Sequence, residues 1–119
     1  QAIADAQQRT QRYTERRLTI GLGYGGQQEI VQAAATVAQQ SQTGQPTDLT
    51  TTFEQSLLVP RPLDLIIRTG GEQRLSGFCL YQAAYAELFF VETLWPDFTV
   101  AELDRIMAEF ARRERRFGR

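Results

Sequence analysis

Histidine and lysine are absent from this 119-residue chain, so all 13 of its basic residues are arginines. That excludes an imidazole general base, a Schiff-base or P-loop lysine, and any zinc site that needs a histidine ligand. Cysteine is reduced to Cys79, which has no intrachain partner for a disulfide and reads as small apolar packing between Phe78 and Leu80. Net charge is nearly nil: 13 basic against 14 acidic residues leave −1. There is no basic field to recruit nucleic acid and no polybasic tract for anionic lipid. No apolar run approaches the ~20 residues of a membrane-spanning helix, and no stretch has the pattern of a secretory signal. What remains for chemistry is carboxylate, guanidinium, hydroxyl, backbone amide and a bound metal. Those groups suit the stabilisation of a phosphate-type group in transfer.

The length permits one domain at most, and 42% hydrophobic with 23% charged residues is ordinary soluble composition. Ile3, Ala6, Thr10 and Tyr13 recur at helical spacing, predicting a helix from Ala2 to about Arg16 with no capping residue ahead of it. The expectation is that the sequence starts inside a helix of a longer protein. A strand is predicted over Leu18–Leu22, then a glycine turn, then a helix from Gln27 to about Gln40 with Ile30, Val31, Ala34, Val37 and Ala38 on one face. Asp48 is a candidate cap for a short helix. Pro60 and Pro62 end it and admit a buried strand over Leu63–Ile67. A short helix over Phe78–Ala86, a strand over Glu87–Val91 and a turn at Trp95–Phe98 follow. The last helix starts at a capping box, Thr99-x-x-Glu102, with Leu103, Ile106, Met107 and Phe110 as its stripe. Arg112, Arg113, Arg115 and Arg116 crowd its negative end. Strands alternating with helices predict an α/β fold, a mostly parallel sheet flanked by helices.

The strand at Leu63–Ile67 opens into Arg68, Gly70, Gly71, Glu72, Arg74 and Ser76. Two guanidinium forks, a hydroxyl and flexible backbone N–H groups thus stand where a parallel strand ends, the place where open α/β sheets hold ligands. They suit a multiply charged oxyanion, a diphosphate above all. The plainer alternative is a solvated loop in which Glu72 pairs with an arginine. Gly25-Gly26 reads equally as a structural turn or as an anion or partner contact at a helix N-terminus. Glu87 reads locally as an outward-facing strand residue, with a magnesium ligand as the alternative. Tyr81, Tyr85, Phe89, Phe90 and Trp95 are either core or subunit interface.

In order and spacing, these blocks resemble the C-terminal half of a cis-prenyltransferase of the undecaprenyl diphosphate synthase (isoprenyl transferase) family. The resemblance rests on Asp64 to Glu72, Arg74-Leu75-Ser76, Ala84 to Leu88, Leu94 to Phe98, Tyr24-Gly25-Gly26 with Glu29-Ile30, and Arg113 to Gly118. It implies residues 1–119 as one C-terminal part of a domain whose N-terminal part lies outside this sequence. That family joins isopentenyl diphosphate to an allylic diphosphate with Mg²⁺. The resemblance implies that Arg68, Arg74, Leu75 and Ser76 hold the isopentenyl diphosphate. Arg116 and Gly118 would form the Arg-x-Gly element that reaches the other subunit of a homodimer. Glu87 would be the metal ligand from the partner's side, with Gln73, where many members carry histidine, an outer neighbour reached through water. Gly77, Tyr81 and Gly23 also depart from the family's frequent residues, away from the proposed phosphate ligands. No catalytic residue is expected in these 119, because the family's Asp-Gly-Asn block is missing, and the chain by itself is expected to be inactive. A cytoplasmic location follows, with peripheral membrane contact at most. Two rivals stand beside this reading: a non-catalytic truncated subunit that keeps the dimer surface, and a generic phosphate-binding module.

Overall fold

The computed structural model describes residues 1–42 and 48–113. Helix α1 (Ala2–Thr10) leads to α2 (Gly26–Ser41) and α3 (Leu49–Gln55). Strands β1 (Leu65–Thr69) and β2 (Glu87–Val91), a 3-10 turn (Trp95–Asp97) and helix α4 (Val100–Arg112) complete the order. The strands pair in parallel, Leu65 opposite Glu87 through Thr69 opposite Val91. The predicted α/β character with a parallel sheet holds, although the described residues supply only two of its strands.

The N-terminal third departs most from expectation. α1 ends at Thr10 instead of Arg16 and buries no residue, so packing within the described residues offsets little of the cost of ordering it. Leu18–Leu22 forms no strand. Its alternating Leu18, Ile20 and Leu22 stand 85%, 70% and 74% exposed. A strand needs ladder partners for its backbone groups, and a groove of about 800 Å³ lies between this segment and Leu65–Ile67.

α2 is rotated from its predicted apolar face: its buried residues are Gly26, Glu29 and Ala33, with Val31 67% exposed. The reason is a hydrogen-bonded carboxylate, described below. α3 is capped as predicted, the Asp48 side chain accepting from the Thr50 and Thr51 N–H groups.

The β1–β2 crossover is a run of turns, not the predicted helix over Phe78–Ala86. Ser76 (φ 50°) and Cys79 (φ 46°) are left-handed, which interrupts a right-handed helix. The Gln82 carbonyl is meanwhile drawn off by the Leu63 N–H at 2.9 Å.

α4 runs antiparallel beside β2 and is fastened at both ends. Thr93 Oγ1 donates to Glu102 Oε1 at 3.0 Å near its start, and Arg113 Nη1 meets Glu87 Oε2 at 2.8 Å near its finish. Thr99 caps the helix, accepting from the Glu102 N–H at 3.2 Å, while the Glu102 carboxylate serves Thr93. Of the predicted stripe only Ile106 is fully buried, a burial that stabilises by roughly 1.5–3 kcal/mol.

Candidate functional site

The C-terminal end of β1 places Arg68 over the loop that follows it. Its Nη1 donates to Ser76 Oγ at 3.0 Å and also to the Arg74 carbonyl oxygen. Arg68 and Ser76 are therefore brought together as the sequence predicts. The Arg74 backbone joins them, but its guanidinium turns outward to Glu72, Nη2 to Oε2 at 2.5 Å. That pair is exposed on both sides, so it holds Arg74 weakly and water or an anion competes with it readily. Leu75 is half-buried, and with Phe78 and the Ile66–Thr69 edge it borders a cavity of about 270 Å³. Gln73 is exposed.

One expectation fails here. The glycine N–H groups are not loose donors for an anion: Gly70 N–H donates to the Thr93 carbonyl and Gly71 N–H to the Val91 carbonyl, both at 2.9 Å. Glycine instead lets this loop lie against the end of β2.

The other glycine turn also has a structural partner. Gly26, the first residue of α2, donates its N–H to the Gly77 carbonyl at 2.9 Å. A Cβ on Gly26 would meet that oxygen at 2.2 Å, so no larger residue fits without moving the loop.

One turn into α2 lies a feature that sequence reasoning missed. Glu29 is 4% exposed. Its Oε1 accepts the Leu58 N–H at 2.8 Å, and its Oε2 accepts the Gln82 Nε2 at 3.1 Å and the Tyr24 hydroxyl. Burial alone raises a carboxyl pKa, but the Tyr24, Gln82 and backbone donors outweigh it and hold Glu29 below the ordinary carboxylate range. Tyr24 moves oppositely: burial and then its bond to Glu29 push the phenol upward. Burial also raises the Cys79 thiol, which fits its predicted packing role. The signal available in the sequence was an acid in the first turn of α2 together with a lone glutamine, Gln82, in an Ala- and Tyr-rich stretch.

Glu87 sits at the opposite end of the sheet. It is paired with Leu65, three positions before Arg68 in register, or roughly 10 Å along the strand. Its carboxylate is engaged by Arg113 at 2.8 Å, whose guanidinium lies 3.9 Å over the Phe89 ring and also meets Glu109 at 2.8 Å. Among the described residues no group of three His, Cys, Asp or Glu side chains could hold a metal. Glu87 is a single carboxylate already paired with Arg113. Trp95 and Tyr85 are 75% and 70% exposed. Arg116 and Gly118 lie outside the described residues.

Residues 1–118 match the family model described as "Putative undecaprenyl diphosphate synthase", and the chain belongs to this prenyltransferase family. The ditrans,polycis-undecaprenyl-diphosphate synthase ((2E,6E)-farnesyl-diphosphate specific) of Acinetobacter baylyi is 46% identical over 98% of this chain and 49% of its own length. The tritrans,polycis-undecaprenyl-diphosphate synthase (geranylgeranyl-diphosphate specific) of Methanopyrus kandleri is 44% identical over 99% of this chain and 45% of its own. Among solved structures, lavandulyl diphosphate synthase from Lavandula x intermedia, in complex with dimethylallyl diphosphate, superposes with a TM-score of 0.87 at 36% identity. That match covers 99% of this chain and 53% of the other. The chain thus spans about half the length of the curated relatives it matches. No helix among the described residues is long and apolar enough to cross a membrane.

Proposed function

We propose that this chain is the isopentenyl diphosphate-binding, C-terminal part of a cis-prenyltransferase domain. The complete protein would condense isopentenyl diphosphate with an allylic diphosphate into a cis-polyprenyl diphosphate. The observation that carries the reading is the Arg68–Ser76 contact at 3.0 Å, with the Arg74 carbonyl on the same guanidinium. It gathers a fixed cation and a hydroxyl at the sheet end where α/β ligands bind. Arg74 completes the cradle by exchanging Glu72 for phosphate, a stronger, charge-assisted partner. Arg68 then orients the diphosphate head, and the apolar edge at Leu75 and Phe78 is left for the five-carbon tail. Arg116 and Gly118 are assigned to the same substrate by the family motif alone.

Magnesium would neutralise the diphosphate charge that develops as the allylic bond ionises. Glu87 is the residue of this chain that would hold it, with Gln73 as an outer neighbour. Because Glu87 and Arg68 occupy opposite sheet ends, Glu87 serves the site of a second copy better than its own. This supports a homodimer, formed partly through exposed aromatics such as Trp95 and Tyr85. The complete protein would work in the cytoplasm and touch membrane only peripherally, through its product.

The test is Arg74→Ala in the complete protein. The expected outcome is a rise of at least tenfold in KM for isopentenyl diphosphate, equivalent to about 1.4 kcal/mol or more, with little change for the allylic substrate. Equal effects on both substrates would remove the loop from the role assigned to it.

A further inference from the structure

The helix start at Gly25-Gly26 carries no side chain that could reach a substrate, yet it contacts the arginine loop at backbone level. We infer that Gly26 is a positioning residue for the diphosphate cradle, acting through the Gly77 carbonyl to set where Ser76 and Arg68 stand. This inference rests on the reading of the loop as a diphosphate site.

The route is short and each joint is visible. Gly26 N–H donates to Gly77 O at 2.9 Å. Gly77 follows Ser76 directly, and Ser76 Oγ accepts from Arg68 Nη1 at 3.0 Å. The loop at this point is not in a conformation it would choose unaided. Ser76 (φ 50°) and Cys79 (φ 46°) are left-handed without being glycine, and such conformations persist only where the surroundings over-determine them. The surroundings here include Arg68 on one side of the loop and, on the other, the α2 N-terminus together with Tyr24, whose ring meets Phe78 edge-on at 5.8 Å. The α2 end is itself immobilised, because the Glu29 carboxylate one turn later is bonded to Leu58 and Gln82. A buried polar knot thus fixes the helix, the helix fixes a carbonyl, and the carbonyl fixes the hydroxyl beside it.

Contact distance makes the position selective. A Cβ at Gly26 would stand 2.2 Å from the Gly77 oxygen and 3.4 Å from the Leu80 side chain. The loop must therefore retreat by more than about 1 Å to reach ordinary contact distance, and misplacement of that size is costly at a binding site. At Gly77 a Cβ meets nothing within 4 Å, so substitution there acts through the backbone dihedral alone.

The experiment compares Gly26→Ala, Gly77→Ala, Ser76→Ala and the Gly26→Ala/Ser76→Ala double variant in the complete protein. Steady-state kinetics are run in each substrate, beside thermal melts. Gly26→Ala is expected to raise KM for isopentenyl diphosphate tenfold or more, with kcat within threefold and KM for the allylic substrate unchanged. The double variant should be no worse than the poorer single variant, because both act on one hydroxyl. A folded Gly26→Ala with unaltered KM, or strictly multiplying effects in the double variant, overturns the inference. Should Gly26→Ala fail to fold, Gly77→Ala decides: a severalfold rise in the same KM supports the route, and no change overturns it. Arg74→Ala separates the two levels. If it too leaves that KM unchanged, the diphosphate reading has failed; if it raises KM while Gly26→Ala does not, only the positioning role has.

Discussion

The two ends of the β1–β2 sheet hold their charges by different means. At the C-terminal end, the partners that fix Arg68 among the described residues are neutral, the Ser76 hydroxyl and the Arg74 carbonyl, and do not cancel its positive charge. At the N-terminal end, Glu87 faces a guanidinium that is shared with Glu109 and stacked on Phe89, so its charge is held by a countercharge that two carboxylates divide. A charge held by neutral donors or acceptors is ready for an external ion; one held by a countercharge must first exchange partners. The first end therefore reads as a recognition site, and the second as a latch that a competing cation has to open.

The strongest way to break this comparison is Arg68→Ala. It removes both the free charge and the side chain that spans the loop. With charge-assisted bonds contributing roughly 1.5–3 kcal/mol each, kcat/KM for isopentenyl diphosphate should fall by about a hundredfold or more in steady-state assays. A change below tenfold would make the two ends equivalent.

The next effect is on the foundation beneath the first end. Glu29→Ala strands the Tyr24 hydroxyl, the Leu58 N–H and the Gln82 amide. It should cost about 3 kcal/mol or more, read as a lowered urea midpoint. The same group sets an acid limb. Its folded-state pKa lies below the ordinary carboxyl value of 4.5, so its ionised form stabilises the fold fully above that value. The contribution is lost as pH falls through the depressed pKa. Glu29→Gln should flatten this part of the stability–pH curve below about pH 4.5, while leaving the limb due to other carboxylates.

Smallest in stability is Arg113→Met at the second end, where the ion pairs are partly exposed and screened. Thermal melting should move little. Mg²⁺ titration of the complete protein should shift to lower concentration, because Glu87 no longer carries a resident cation. A weaker Mg²⁺ response would instead make Arg113 a support for the ligand.

Local pattern made most of the site legible. The apolar run, the arginine–serine contact and the Asp48 and Thr99 caps each depend on neighbours a few residues away and each appears in the structure, although the strand predicted over Leu63–Ile67 forms two residues later, over Leu65–Thr69, and takes in Arg68. The failures involve partners distant in sequence. Leu18–Leu22 alternates like a strand, but a ladder requires another segment beside it. Phe78–Ala86 has helical composition, but the Leu63 N–H takes the carbonyl a helix would need. α2 buries Glu29 in preference to Val31 because Leu58 and Gln82 arrive from 29 and 53 residues away. No periodicity within the helix contains that information. Arg74 was placed in the cradle by spacing, and its contact with Glu72 shows that spacing fixes reach without fixing the partner.

The fastening of α4 to β2 at both extremities carries a further meaning. Whatever captures the Glu87 carboxylate also unties one of the two moorings of that helix. Deuterium uptake along its last turn would then report occupancy at a sheet end that contributes no chromophore of its own, and would do so before any product is made.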